Sequence, residues 1–187
     1  MKRKNLVWIL GTCLAVMLLC YGIAGAAEKE PVVGYNAGDV AFSAPLSAKD
    51  ATYLGLASPA PFHLKDIKAD YVVVESFNTT CPHCMAQAPV LNKLYAMVEG
   101  DAKLKNKVKF VSVGQGNDAN AVKMWQTFHK VPFPVVPDKD SKLGKALNFS
   151  PYPVTTLMDK SGKIVWVHVG SFDSPDEAFQ GIKKAVK

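Results

Sequence analysis

A buried strand that runs straight into a cysteine pair constrains this chain most. Tyr71-Val72-Val73-Val74-Glu75-Ser76-Phe77 is β-branched and almost wholly apolar, the pattern of a strand covered on both faces. A short polar turn follows, then Cys81-Pro82-His83-Cys84. Pro82 suits a first helical position, where its missing N–H costs nothing. Val90, Leu91, Leu94, Tyr95 and Val98 then recur at helical spacing, and Gly100-Asp101 ends the run. Pro89 is expected to kink this helix. Both cysteines therefore fall where a strand ends and a helix begins.

The rest of the chain alternates in the same way. Val108 to Val113 reads as a second buried strand. Asn117-Asp118 can cap a helix that carries Val122, Trp125, Phe128 and His129 on one broad packing face. Residues 131–137 form a Pro-rich connection with room for at most a short strand, and 141–147 a short helix. Val154 to Asp159 and Ile164 to Val169 are hairpin partners around Lys160-Ser161-Gly162-Lys163. Ser174-Pro175-Asp176-Glu177 reads as a capping box with Pro in the first turn, before a helix carrying Phe179, Ile182 and Val186. This order predicts an α/β fold, with a mixed central sheet flanked by helices. Residues 27–61, rich in Gly, Ala, Ser and Pro, read as an extended entry segment with a short strand near Val40–Phe42. A single domain is expected over 62–187.

Lys2, Arg3 and Lys4 precede an apolar run from Leu6 to Ile23, and Ala24-Gly25-Ala26 follows with small residues at an A-x-A spacing. Residues 1–26 thus read as a secretory signal peptide, with an uncleaved inner-membrane anchor as the alternative. Either reading places the domain in the periplasm or another extracytoplasmic space. Loss of this segment removes three of the 22 basic residues, against 16 acidic ones, and lowers the net charge from +6 to +3. It also removes Arg3, the only arginine, so the tool for bidentate phosphate and base contacts is missing and no nucleic-acid partner is expected.

Cys13 and Cys20 leave with the signal, and Cys81 and Cys84 remain. A disulfide that closes so small a loop constrains little of the unfolded chain, so chemistry explains the pair better than stapling. Thiolate is the reactive form of cysteine, and a helix N-terminus favours it at Cys81 through free N–H groups and the positive dipole end. His83 can add a positive or hydrogen-bonding partner. Cys81 is expected to attack, and Cys84, one turn further in, to resolve the mixed disulfide. A zinc clip would need more ligands than one pair supplies, and Met85 stands where a c-type haem motif needs histidine, so no metal site is expected. His63, His129 and His168 read as ordinary surface or half-buried residues, and Trp125 and Trp166 as packing residues.

Glu75 lies six residues before Cys81, Pro89 five after Cys84, and Pro153 just before a late strand. Together these residues resemble the thioredoxin superfamily. The stretch from Val108 to Lys163 is most similar to its TlpA/ResA-type branch of extracytoplasmic thiol-disulfide oxidoreductases, and the resemblance runs from about Phe62 to Val186. It implies a thioredoxin-like fold with an extra inserted helix and an N-terminal extension. It implies that Glu75 moves the proton of Cys84, with burial raising its pKa toward that task. It implies a cis Pro153 facing the cysteines, where Tyr152, Pro153 and Val154 offer an edge to an extended substrate. Redox chemistry would rest on the Cys81–Cys84 disulfide alone, without a dissociable cofactor. The expected partners are protein thiols or disulfides and a membrane or periplasmic redox partner. Relatives of this type commonly reduce, some of them keeping apocytochrome c thiols ready for haem, so reduction is the expected direction.

Some residues depart from the pattern. Thr80 stands where tryptophan is common, and Val154 where threonine is common. Pro82-His83 is similar to the dipeptide of DsbA, so a DsbA-like oxidase or isomerase is the alternative, although about fifty residues between Gly100 and Pro153 leave no room for that family's helical domain. A peroxidase would need threonine in place of Asn78 and an arginine beside the cysteine. A copper chaperone drawing on His129 or His168 is a further alternative, though related copper sites space their cysteines one residue wider.

Overall fold

The computed structural model describes residues 31–187 apart from 44–45 and 150–151. The expected signal peptide, with Cys13 and Cys20, lies outside the described residues. Among those described, no helix is long and apolar enough to cross a membrane.

The chain runs through β1 (Ala41–Phe42), α1 (Ala48–Leu54), β2 (Phe62–His63), β3 (Tyr71–Phe77), α2 (Pro82–Gly100), β4 (Val108–Gln115), α3 (Ala119–Phe128), β5 (Val135–Asp138), α4 (Lys142–Ala146), β6 (Val154–Asp159), β7 (Ile164–Val169) and α5 (Pro175–Ala185). Five strands form one mixed sheet in the order β5-β4-β3-β6-β7. β4 is parallel to β3 and β5 to β4, while β6 runs antiparallel to β3 and β7 to β6. β1 and β2 pair separately.

The central position of β3 explains its composition. Alternate side chains of a strand point to opposite faces. Val72 and Val74 enter a core with Phe42, Leu54, Phe62 and Val154. Val73 enters the opposite core with Leu91, Leu94 and Val98 of α2 and Ile182 of α5. Phe77 continues that second face toward Cys84, Val122 and Trp125. A Cβ at Gly114 would lie 2.5 Å from Val122 Cγ1, so glycine there lets α3 approach β4 closely.

α2 continues through Pro89 without interruption, rather than breaking into two helices, although Pro89 has no N–H to offer the Met85 carbonyl. Residues 48–54, expected to be extended, form α1. Its signal is a capping pair: Ser47 Oγ accepts from the Asp50 N–H at 3.0 Å and Asp50 Oδ2 accepts from the Ser47 N–H. β5 is the short strand for which the Pro-rich connection left room, and Pro137 is tolerated because β5 lies at the sheet edge. Ser174 forms no side-chain cap on α5, so that expected box is absent; Pro175 at the start and Asp176 and Glu177 in the first turn favour the helix instead.

Phe128 does not share the buried face of α3. At about 100° per residue it sits about 120° from Val122, whereas His129 returns to within about 20°. Val122 and Trp125 are buried, and Phe128 is 81% exposed.

Candidate active site

The turn between β3 and α2 is held from two sides. Asn78 Oδ1 accepts from the Thr80 N–H at 2.9 Å and from Thr80 Oγ1 at 2.7 Å. Asn78 Nδ2 donates to the Gln115 carbonyl at 2.8 Å, and the Thr79 N–H donates to Asn117 Oδ1 at 3.0 Å. The Cys81 N–H closes the turn on the Asn78 carbonyl at 3.1 Å. The end of β4 thus fixes where the first cysteine stands.

Cys81 is the N-cap of α2, and its Sγ accepts from the Cys84 N–H at 3.4 Å. The sulfur takes the place of a capping oxygen, where a helix start favours negative charge. Both thiols are free, Cys81 half-buried and Cys84 fully buried. Burial pushes the Cys84 thiol well above its ordinary value; the Cys81 sulfur and the Glu75 charge push the same way, and the Asn78 backbone opposes them. His83 is exposed and its ring donates no hydrogen bond to either sulfur, while its carbonyl accepts from Ser171 Oγ at 3.2 Å. Pro82 occupies the first turn, as its missing N–H allows.

Glu75 pairs in register with Ser112 of β4 and Thr155 of β6. It shares a sheet face with Val73 and Phe77, the face that α2 covers, and it is 4% exposed. Ser112 Oγ donates to Glu75 Oε2, and Oε1 has no partner among the described residues. Burial drives the carboxyl up to about 7, with the Ser112 hydrogen bond acting against it. Beside it lies a buried amide. Gln87 Oε1 accepts from the Phe172 N–H at 2.9 Å, and its Nε2 reaches Thr155 Oγ1 at 3.5 Å.

The Tyr152–Pro153 bond is cis. Val154 pairs with Ser76, so Pro153 lies at the end of β3 from which the chain turns toward Cys81. Tyr152 packs against the same cluster as Cys81, around Phe77, Cys84 and Trp125. The Pro153 carbonyl already accepts from the Gly170 N–H at 2.8 Å. Val154, expected to help bind substrate, is fully buried in the core on the other sheet face and is paired on both sides, with Ser76 and Val169. Tyr152 packs with the cysteines' cluster, and Pro153 is buried at the end of β6 that lies nearest them.

Gln87 and Ser112 are site residues beyond those expected, and Asn78 and Asn117, read as a position that speaks against a peroxidase and as a helix cap, hold the Cys81 turn. The first two carried a signal. Ser112 is a polar residue inside an apolar strand, and Gln87 lies on the stripe of Cys84, Ala88 and Leu91 at helical spacing. Among the described residues no three His, Cys, Asp or Glu side chains converge as metal ligands. The His129 ring lies tilted against Trp125 at 4.1 Å between centroids, and His168 lies near Ser171 and Glu177.

The redoxin family pattern matches residues 43–185. The thiol-disulfide oxidoreductase ResA of Geobacillus kaustophilus is 28% identical over 138 residues, covering 68% of this chain and 76% of that protein. ResA of Bacillus thuringiensis strain Al Hakam is 30% identical over 124 residues, covering 66% and 67%. In fold, the chain is similar to a secreted Mycobacterium tuberculosis disulfide oxidoreductase homologous to E. coli DsbE, with a TM-score of 0.56 at 20% identity over 67% of this chain and 90% of that one. The matched span takes in the whole five-stranded sheet and both cysteines, so this chain belongs to the redoxin family, as a ResA-like thiol-disulfide oxidoreductase of the thioredoxin superfamily.

Proposed function

We propose that Cys81 and Cys84 are the redox pair of a periplasmic reductase of protein disulfides. The observation that carries this reading is the arrangement of one half-buried sulfur at the helix start and one fully buried sulfur behind it. The Cys81 thiolate attacks a substrate disulfide, forms the mixed disulfide and releases one substrate thiolate. The Glu75 carboxylate takes the proton of Cys84, whose burial otherwise holds the thiol protonated. The Cys84 thiolate then attacks Cys81 Sγ and releases the second substrate thiolate. Two electrons pass to the substrate, the protein is left with the Cys81–Cys84 disulfide, and no dissociable cofactor is used.

A dithiol donor at the membrane or in the periplasm must then recharge the protein. Periplasmic location is supported by the pattern of Lys2 to Ala26 and by the secreted structural neighbour. Cysteine pairs of apocytochromes c awaiting haem are the client that the TlpA/ResA resemblance favours. A strong oxidant owes its potential to a stabilised reduced form. The Pro82-His83 dipeptide is the feature that could supply such stabilisation, and it keeps the DsbA-like oxidase or isomerase as the alternative.

Equilibration of residues 27–187 with glutathione buffers tests the direction. A potential near ~−270 mV supports the reductase, and one at or above ~−180 mV overturns that direction in favour of an oxidase or isomerase.

A further inference from the structure

Beside the cysteines, α3 leaves an apolar hollow that the exchange chemistry does not use. Thr79, Ala121, Met124, Trp125, Phe128 and His129 line about 290 Å³. No lining side chain is a carboxylate, lysine or arginine. Met124 is 72% exposed and Phe128 81% exposed, the two most exposed large apolar side chains among the described residues. Trp125 forms the floor, stacked on Phe77 at 4.6 Å between ring centroids, and the His129 ring lies tilted against it at 4.1 Å. The hollow is at the lower limit of small-molecule pockets, roughly 300–1,000 Å³, so it has room for one large side chain rather than a cofactor.

Its position identifies the occupant. Thr79 belongs to the turn that carries Cys81, and Trp125 belongs to the cluster against which Cys81 packs. A polypeptide disulfide-bonded to Cys81 therefore lies beside the hollow. Aromatic walls and a flexible thioether favour an aromatic or large aliphatic group, and Met124 can adapt to its shape.

We infer that this hollow receives an aromatic or large aliphatic side chain flanking the cysteine of the protein substrate, and so selects substrates whose reactive cysteine has such a neighbour. The inference rests on the exchange reading above and adds the substrate feature that the site recognises.

The test uses Cys84→Ser protein and short peptides with one cysteine, each held as a disulfide with thionitrobenzoate. Cys81 thiolate attacks the peptide sulfur, the protein–peptide disulfide forms, and coloured thionitrobenzoate leaves, so one disulfide replaces another with no net oxidation. One peptide carries phenylalanine on both flanks of the cysteine and the other carries serine. The phenylalanine peptide is expected to couple about tenfold faster, the lower end of what an apolar pocket contact supplies. Adding Met124→Ser and Phe128→Ser should bring the ratio of the two rates close to one. Val33→Ser, a change of another exposed apolar side chain on the N-terminal segment, should leave the ratio as it was. Equal rates for the two peptides, or a preference that survives the α3 changes, overturn the docking inference alone. No release from either peptide overturns the exchange reading and the docking with it. Self-association that Phe128→Ser abolishes assigns the patch to a second copy of the chain and overturns the inference.

Discussion

Ser112 Oγ donates to Glu75 Oε2 across the β3–β4 ladder, and Glu75 Oε1 receives nothing among the described residues. One oxygen is held and the other is left for a proton. Burial, opposed by the Ser112 hydrogen bond, places the carboxyl at about 7, where it can both take and give a proton near neutral pH.

The first prediction concerns rate. A mixed disulfide preformed at Cys81 should be resolved faster as pH rises through about 7, because only the charged carboxylate can take a proton from Cys84. Glu75→Gln should slow resolution at pH 7.5 by about a hundredfold and remove the inflection near 7. Stopped-flow release of the second thiol, followed from pH 5 to 9, reads both effects. An unchanged profile in Glu75→Gln would take Glu75 out of the chemistry.

The second concerns stability. The folded chain raises the carboxyl above its ordinary 4.5, so between about 4.5 and 7 the folded state binds more protons than the unfolded one. Stability is therefore held below pH 4.5 and lost as pH rises toward 7, by on the order of 3 kcal/mol for this group. His129, held below its ordinary value by burial, acts in the opposite sense in the same window. The readout is thus the comparison of proteins. Urea unfolding should show Glu75→Gln gaining stability over the parent between pH 5 and pH 8, since glutamine keeps an oxygen for Ser112 and carries no charge.

The third separates the two sulfurs. Cys81 is half-buried at the helix start, and Cys84 is buried with its thiol pushed up. Iodoacetamide should label Cys81 at least about a hundredfold faster in the folded reduced protein, a gap that urea closes. Mass spectrometry of the peptide containing both residues reads the order of labelling. Equal labelling of the two would contradict the assigned roles.

Local patterns made much of this architecture legible. β3, α2 and the β6–β7 hairpin stand out because their periodicity is long and Pro or Gly marks their ends. Among the candidate site residues, Cys81, Cys84 and Glu75 stand out by spacing along one strand–turn–helix unit, whereas the role of Glu75 and the cis form of Pro153 follow from resemblance alone. The rest depends on relations that spacing does not encode. Ser112 lies 37 residues from Glu75 and meets it only through the β3–β4 register. α1 hides in a segment whose Gly, Ser and Pro content speaks for a loop, with only the Ser47–Asp50 pair to mark it. Phe128 fits an apolar list but not the helical angle of Val122 and Trp125. Val154 alternates onto the far face of β6, where it cannot meet a substrate.

The last prediction concerns Gln87, which joins three elements under the site. Its amide lies on α2, its Oε1 holds the Phe172 N–H beyond β7, and its Nε2 reaches Thr155 of β6, the residue in register with Glu75. Gln87→Leu fits the apolar stripe of α2 but strands the Phe172 N–H in the interior. The expected loss is about 1–3 kcal/mol by urea unfolding, the penalty of a buried donor left without its acceptor. Gln87→Glu keeps an oxygen for that N–H, yet brings a second carboxyl into the pocket of Glu75. Like charges disfavour each other's ionised form, so the inflection near 7 in the resolution profile should move to higher pH. A shift in Gln87→Glu without a matching loss of stability separates an electrostatic role from mere packing. A stability loss in Gln87→Leu with no shift in Gln87→Glu confines Gln87 to bracing the helix.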